Sequence, residues 1–137
     1  MRLTRAAEYA VRCILYLAGR PDFSLVSRKE ISRDMEIPDQ FLGKIAQQLS
    51  KAGIMEILQG ARGGFRLLRA PVDISLLEVI EAVQGELFLN DCIMNPRSCR
   101  RVPSCAVHMV WDKARQDLRQ TLGEADFQQL SKSTCNG

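Results

Sequence analysis

The chain holds one histidine, one tryptophan and no two cysteines spaced two residues apart. The tight cysteine pairs of structural zinc sites and of thioredoxin-like redox motifs are therefore missing. No nucleotide-binding glycine pattern follows a strand-like run, and no acid–base pair stands in an evident cleft. There is no internal repeat and no low-complexity tract. The longest apolar run, Tyr9–Ala18, is cut by Arg12 and has helical character, so neither a secretory leader nor a membrane span is expected. With 137 residues there is room for about half a dozen helices but not for a large catalytic scaffold. These absences point away from an enzyme and away from the membrane, towards a cytoplasmic protein. A small redox protein using its cysteines is the rival class.

What is present is unevenly placed. Residues 1–70 carry 12 Lys and Arg against 7 Asp and Glu, and residues 71–137 carry 7 against 9. A basic front half suits a polyanion, because lysine and arginine neutralise phosphates and release counterions. The five cysteines are equally uneven: three of them, with the only histidine, fall between Cys92 and His108. In a reducing compartment such a cluster binds metal or does redox chemistry more often than it forms structural disulfides.

Periodicity predicts a first helix over Thr4–Ala18, with Ala7, Val11, Ile14 and Ala18 facing a core and Glu8 placed to pair with Arg12. Ser27 and Glu30 form a capping-box pattern with Val26 and Ile31 as the apolar staple, opening a second helix over about Arg28–Met35. After a turn at Ile37-Pro38, a third helix runs from Asp39 to about Ala52. Its buried stripe is Phe41, Leu42, Ile45, Ala46 and Leu49; its polar face carries Gln40, Gly43, Lys44, Gln47 and Lys51. Two helices joined by a tight turn, the second polar outside, make a helix-turn-helix.

Ile54–Leu58 and Phe65–Arg69 are predicted strands, bridged by Gln59-Gly60-Ala61-Arg62-Gly63-Gly64. Together with the basic helix pair, this hairpin is read as a wing whose tip residue Arg62 enters the minor groove. The expected DNA-facing set is Arg2, Gln40, Lys44, Gln47, Lys51 and Arg62, on a double-stranded operator.

Ser75 and Glu78 repeat the capping box, with Ile74 and Val79 as staple, and open a helix that stops at Gly85. Residues 86–103 lack periodicity and contain Cys92 and Cys99. Ser104 is placed to cap a long last helix reaching about Leu122, followed by a short helix near Ala125–Leu130 and a frayed end from Ser131. Val107, Trp111, Ala114, Leu118 and Thr121 alternate four and three apart, a seam suited to a homodimer. The expected architecture is mainly α with a small β-hairpin: a winged helix-turn-helix head over 1–85, a cysteine-bearing sensor loop over 86–103, and a dimerisation helix and tail over 104–137.

The spacing Cys92-x6-Cys99-x5-Cys105-x2-His108 is loose for zinc and suits an iron–sulfur cluster, whose larger body spreads its ligands. A zinc or other single metal, and thiol or disulfide switching without metal, stay open. Cys105 and His108 share one helical face, and Asp112 is placed to orient the imidazole. Cys13 is expected buried and inert.

The Met1-Arg2-Leu3-Thr4 opening, Tyr9-Ala10-Val11, the Gly60-Ala61-Arg62-Gly63-Gly64-Phe65 wing and the three cysteines before a long helix together resemble the Rrf-two (Rrf2) family of bacterial winged-helix regulators. The family includes iron–sulfur cluster regulators, nitric-oxide-sensing repressors and cysteine-metabolism repressors without a cluster. The resemblance implies that Cys92, Cys99 and Cys105 hold a cluster. His108 matches the histidine that completes a two-iron cluster in one branch. Glu8 stands near the acidic residue that a partner subunit supplies in another. The resemblance thus favours a 2Fe-2S over a 4Fe-4S cluster, of a kind that oxygen can destroy. Gly43 replaces a larger side chain at the middle of the reading helix.

Overall fold

A computed structural model of the chain describes residues 3–85 and 106–134. Helix α1 (Arg5–Ala18) begins where the Thr4 hydroxyl accepts from the Ala7 N–H at 3.1 Å. Its buried face is Ala7, Ala10, Cys13, Ile14 and Leu17. The predicted face is thus rotated: Val11 and Ala18 are only half-buried, because α1 is wrapped by several elements rather than one. Cys13 is fully buried, and burial pushes its thiol pKa up to about 12.

Helices α2 (Arg28–Asp34) and α3 (Asp39–Lys51) form the predicted pair. Ser27 caps α2 by accepting from the Glu30 N–H at 3.2 Å. The reciprocal half of the capping box is not made, since the Glu30 carboxylate turns to the Tyr16 hydroxyl and Arg20. The staple residues Val26 and Ile31 both enter the core. On α3, Leu42, Ile45, Ala46 and Leu49 are buried, each large aliphatic contributing roughly 1.5–3 kcal/mol. Phe41 departs from the expected stripe: it is exposed and meets the Tyr9 ring edge-on at 5.5 Å between centroids.

Strands β1 (Met55–Leu58) and β2 (Gly64–Leu67) pair antiparallel with Met55 opposite Leu67 and Ile57 opposite Phe65. Met55, Phe65 and Leu67 face inward, while Glu56 and Arg66, opposite each other, form an ion pair on the outer face. Val26 adds a bridge to Phe65, with N–H···O distances of 3.0 and 2.8 Å, so the hairpin is stitched to the chain entering α2. The second strand ends at Leu67, earlier than predicted; Leu68 still donates to the Ile54 carbonyl at 3.0 Å, and the Arg69 side chain pairs with Glu78 at 3.0 Å.

A 3-10 turn over Pro71–Asp73 leads into α4 (Leu76–Gln84), whose Ser75–Glu78 capping box is complete at 3.1 Å in both directions. Helix α4 packs against α1 and α3. Helix α5 (Ala106–Glu124) touches the head through its second half: Leu118 and Leu122 pack on Ala7 and Ile80, and Arg119 pairs with Glu81. Leu118 therefore belongs to the head's own packing rather than to an outward seam. Helix α6 (Phe127–Thr134) returns to the core. Phe127 is fully buried, and Ser131, predicted to fray, is 7% exposed.

Candidate nucleic-acid interface and sensor segment

Gln40, Lys44 and Gln47 lie on the exposed face of α3 and line one groove with Arg28 of α2 and Gln59 at the base of the wing. Lys51, a turn further on, is exposed as well. Arg62 is exposed between the strands. Among the described residues Lys44, Lys51 and Arg62 make no ion pair, so their charge stays available to a phosphate or a base edge. Arg2 lies outside the described residues.

The wing glycines do two different jobs. Gly60 has φ +105°, a conformation costly to any side chain. Gly63 and Gly64 are needed for close approach instead: an added Cβ would come 2.0 Å from the Leu58 carbonyl oxygen and 2.3 Å from that of Val26. Of the three, only Gly60 adopts a positive φ.

Arg28 is the site residue that sequence reasoning missed. Its guanidinium donates from Nε to Asp39 Oδ1 at 2.9 Å, and from Nη2 to Asp39 Oδ2 at 2.9 Å and to the Asp39 carbonyl at 2.8 Å. It lies over Gly43, where an added Cβ would stand 2.8 Å from Nη2. The available signal was a glycine in the centre of a helix's polar face, where propensity disfavours it.

The cysteine-bearing half is only partly described. Cys92, Cys99 and Cys105 fall outside the described residues, as do the 86–103 loop and the proposed Ser104 cap. Among the described residues no three His, Cys, Asp or Glu side chains converge. His108 sits in the first turn of α5, half-buried, and its Nδ1 is buried with no hydrogen-bond partner among those residues. Asp112 does not orient it: that carboxylate accepts from Gln116 at 3.0 Å. Glu8 is exposed on α1 beside Ala7 and has no ion pair with Arg12, which instead reaches the Met35 carbonyl and the Tyr9 ring. Leu118, which packs against the cluster of Ala7 and Ile80, and His108 are ten residues apart on α5, roughly 15 Å along its axis. Among the described residues Glu8 and His108 share no hydrogen bond or ion pair.

Beside His108 the first half of α5 is apolar and open: Val107 is 55% exposed, Met109 73%, Val110 62% and Trp111 42%. No helix among the described residues is long and apolar enough to cross a membrane.

A helix-turn-helix with a basic outer face and a glycine-built hairpin beside it is a winged-helix fold, the class of sequence-reading DNA-binding proteins. The chain belongs to the Rrf2 family: the family model, described as an iron-dependent transcriptional regulator, matches residues 3–133. It is 35% identical over 131 residues to the HTH-type transcriptional regulator NsrR of Shouchella clausii, covering 95% of this chain and 88% of that protein. Among solved structures it resembles CymR, the global cysteine regulator of B. subtilis, with a TM-score of 0.80, 18% identity and coverage of 97% and 98%. T. potens IscR superposes with a TM-score of 0.75 at 23% identity, covering 97% of this chain and 88% of that one. The protein is an Rrf2-family transcriptional regulator.

Proposed function

We propose that this regulator binds its operator as a homodimer, and that an iron–sulfur cluster ligated by Cys92, Cys99 and Cys105, with His108 as fourth ligand, sets its affinity. The observation that carries the reading is His108: the chain's only imidazole, three residues after Cys105, with a buried Nδ1 that no described residue engages. Three thiolates and one imidazole are a chemically suitable donor set for a 2Fe-2S centre. When bound, such a cluster supplies a one-electron couple and iron sites open to oxygen or nitric oxide.

The chain's own residues supply the coupling. The proposed ligands lie on the connector and in the first turn of α5, and the second half of α5 is clamped on Ala7 and Ile80. Helix α4 in turn touches the reading helix, where Gln48 Nε2 donates to the Val83 carbonyl at 3.4 Å. A change in how the connector is held would shift α5 against α4, and α4 against α3. The exposed Val107–Trp111 face of α5 would be covered by the second subunit, fixing the spacing of two reading heads.

The test is anaerobic purification, with visible absorption and iron and zinc analysis, then operator binding by the wild type and Cys92→Ala with and without air. Iron and a visible band in the wild type, lost in the variant together with the air response of binding, are expected. Equal affinity in all four cases would reject the coupling, and a colourless, metal-free protein that still responds to air would transfer the switch to the thiols themselves.

A further inference from the structure

We propose that Arg28, although it belongs to α2, is a specificity-determining residue of the reading surface and donates to the acceptor edge of a purine (N7, with O6 when the base is guanine). The proposal rests on the DNA-binding reading above and names a residue which that reading did not contain.

Gly43 leaves a bare patch in the middle of the outer face of α3, between Gln40, Lys44 and Gln47. The Arg28 guanidinium fills that patch, close enough that an added Cβ at Gly43 would be 2.8 Å from Nη2 and 3.3 Å from Cζ. A single exposed ion pair would leave such a side chain loosely held. Here Asp39 accepts three bonds from it, two on the carboxylate and one on the backbone carbonyl, all between 2.8 and 2.9 Å. A planar fork fastened on one edge has a fixed orientation. Nε and both Nη2 hydrogens are thereby committed, and the Nη1 group has no acceptor among the described residues. The side chain is still 44% exposed, and it lines the groove shared by the reading helix and the wing.

Position and charge together select the target. Much of the Arg28 charge is offset by Asp39, which makes the pair a poor phosphate ligand beside the unpaired Lys44 and Lys51. What remains is an immobilised N–H2 group among side chains facing the major groove, where purine N7 and O6 are the acceptors that arginine most often reads. The reading helix, having no side chain at its centre, borrows one from its neighbour.

The experiment is selection of bound sequences from a randomised duplex library by the anaerobically purified full chain, as wild type, Arg28→Ala and Gly43→Ala. Selected duplexes and single-base-pair variants are then titrated across salt concentrations. Gly43→Ala guards against a folding artefact: alanine is the better helix former, and what it displaces is the end of the Arg28 side chain rather than any backbone atom. Both variants are expected to lose preference at the same one or two base pairs per half-site, an affinity ratio of about tenfold falling to near one, with preferences elsewhere retained. Unchanged preferences in Arg28→Ala would overturn the proposal. So would a uniform loss across all sequences with a shallower salt slope, which would make Arg28 a phosphate contact. A wild type that selects no sequence at all would instead overturn the DNA-binding reading itself, and this proposal with it.

Discussion

The backbone N–H of Phe127 donates to the carbonyl of Ile74 at 3.1 Å, and both side chains are fully buried. Two residues away, the Leu76 N–H donates to the Ala125 carbonyl at 2.8 Å, so the chain leaving α5 is pinned to the chain entering α4. Helix α6 is thus part of the core of the DNA-reading head. Phe127→Ala should cost about 3–5 kcal/mol through the cavity it leaves. Thermal unfolding should fall by roughly 10 °C or more. A change of a degree or two would mean that α6 docks only weakly.

The wing depends on two close approaches. Gly64→Ala would drive a Cβ into the Val26 carbonyl that accepts from the Phe65 N–H, breaking the bridge between hairpin and α2. It should destabilise by about 1–3 kcal/mol. Arg62→Ala, on an exposed tip, should leave stability unchanged, lower DNA affinity, and flatten the plot of log affinity against log salt by roughly one unit. Calorimetry and salt-titrated binding on the same two variants separate the roles.

The Tyr16 hydroxyl faces two carboxylates, Glu30 and Asp34, the latter at 2.7 Å, while Arg20 donates to both the hydroxyl and Glu30. These hydrogen bonds, the one from Tyr16 foremost, hold Glu30 and Asp34 below their ordinary pKa values. A carboxylate with a lowered folded-state pKa stabilises the fold above its unfolded value and loses that contribution as pH falls through the folded one. Stability should therefore fall from about pH 4.5 downward. Burial first, then the two carboxylate hydrogen bonds, pushes Tyr16 up to about 12, so its contribution is present below pH 10 and lost as pH rises towards that value. Tyr16→Phe should flatten both limbs. Denaturant midpoints at pH 3, 7 and 11 check the sign of each.

The fourth ligand is testable without operator DNA. His108→Ala should shift the visible spectrum of the anaerobic protein and speed loss of iron, whereas Glu8→Ala should leave both unchanged. The reverse pattern would assign the ligand to Glu8 on α1 instead of His108.

Much of this protein was written locally. Thr4, Ser27 and Ser75 start three helices because a hydroxyl satisfies N–H groups two or three residues on, a rule that operates within one turn. Two short, largely apolar runs over 54–58 and 65–69 with glycines between specified the hairpin, and the lysines and glutamines of α3 marked its outer face. The cysteine spacing and the wing motif carried the family. What only the tertiary structure decided depends on elements far apart in sequence. Packing on several sides rotated the buried face of α1 and drew Leu118 into the head. Glu30 abandoned its cap for Tyr16 and Arg20 because a charge-assisted partner in space outweighs a second cap bond. Arg28 came to lie on Gly43 because a missing side chain on one helix is visible only once another helix fills the space.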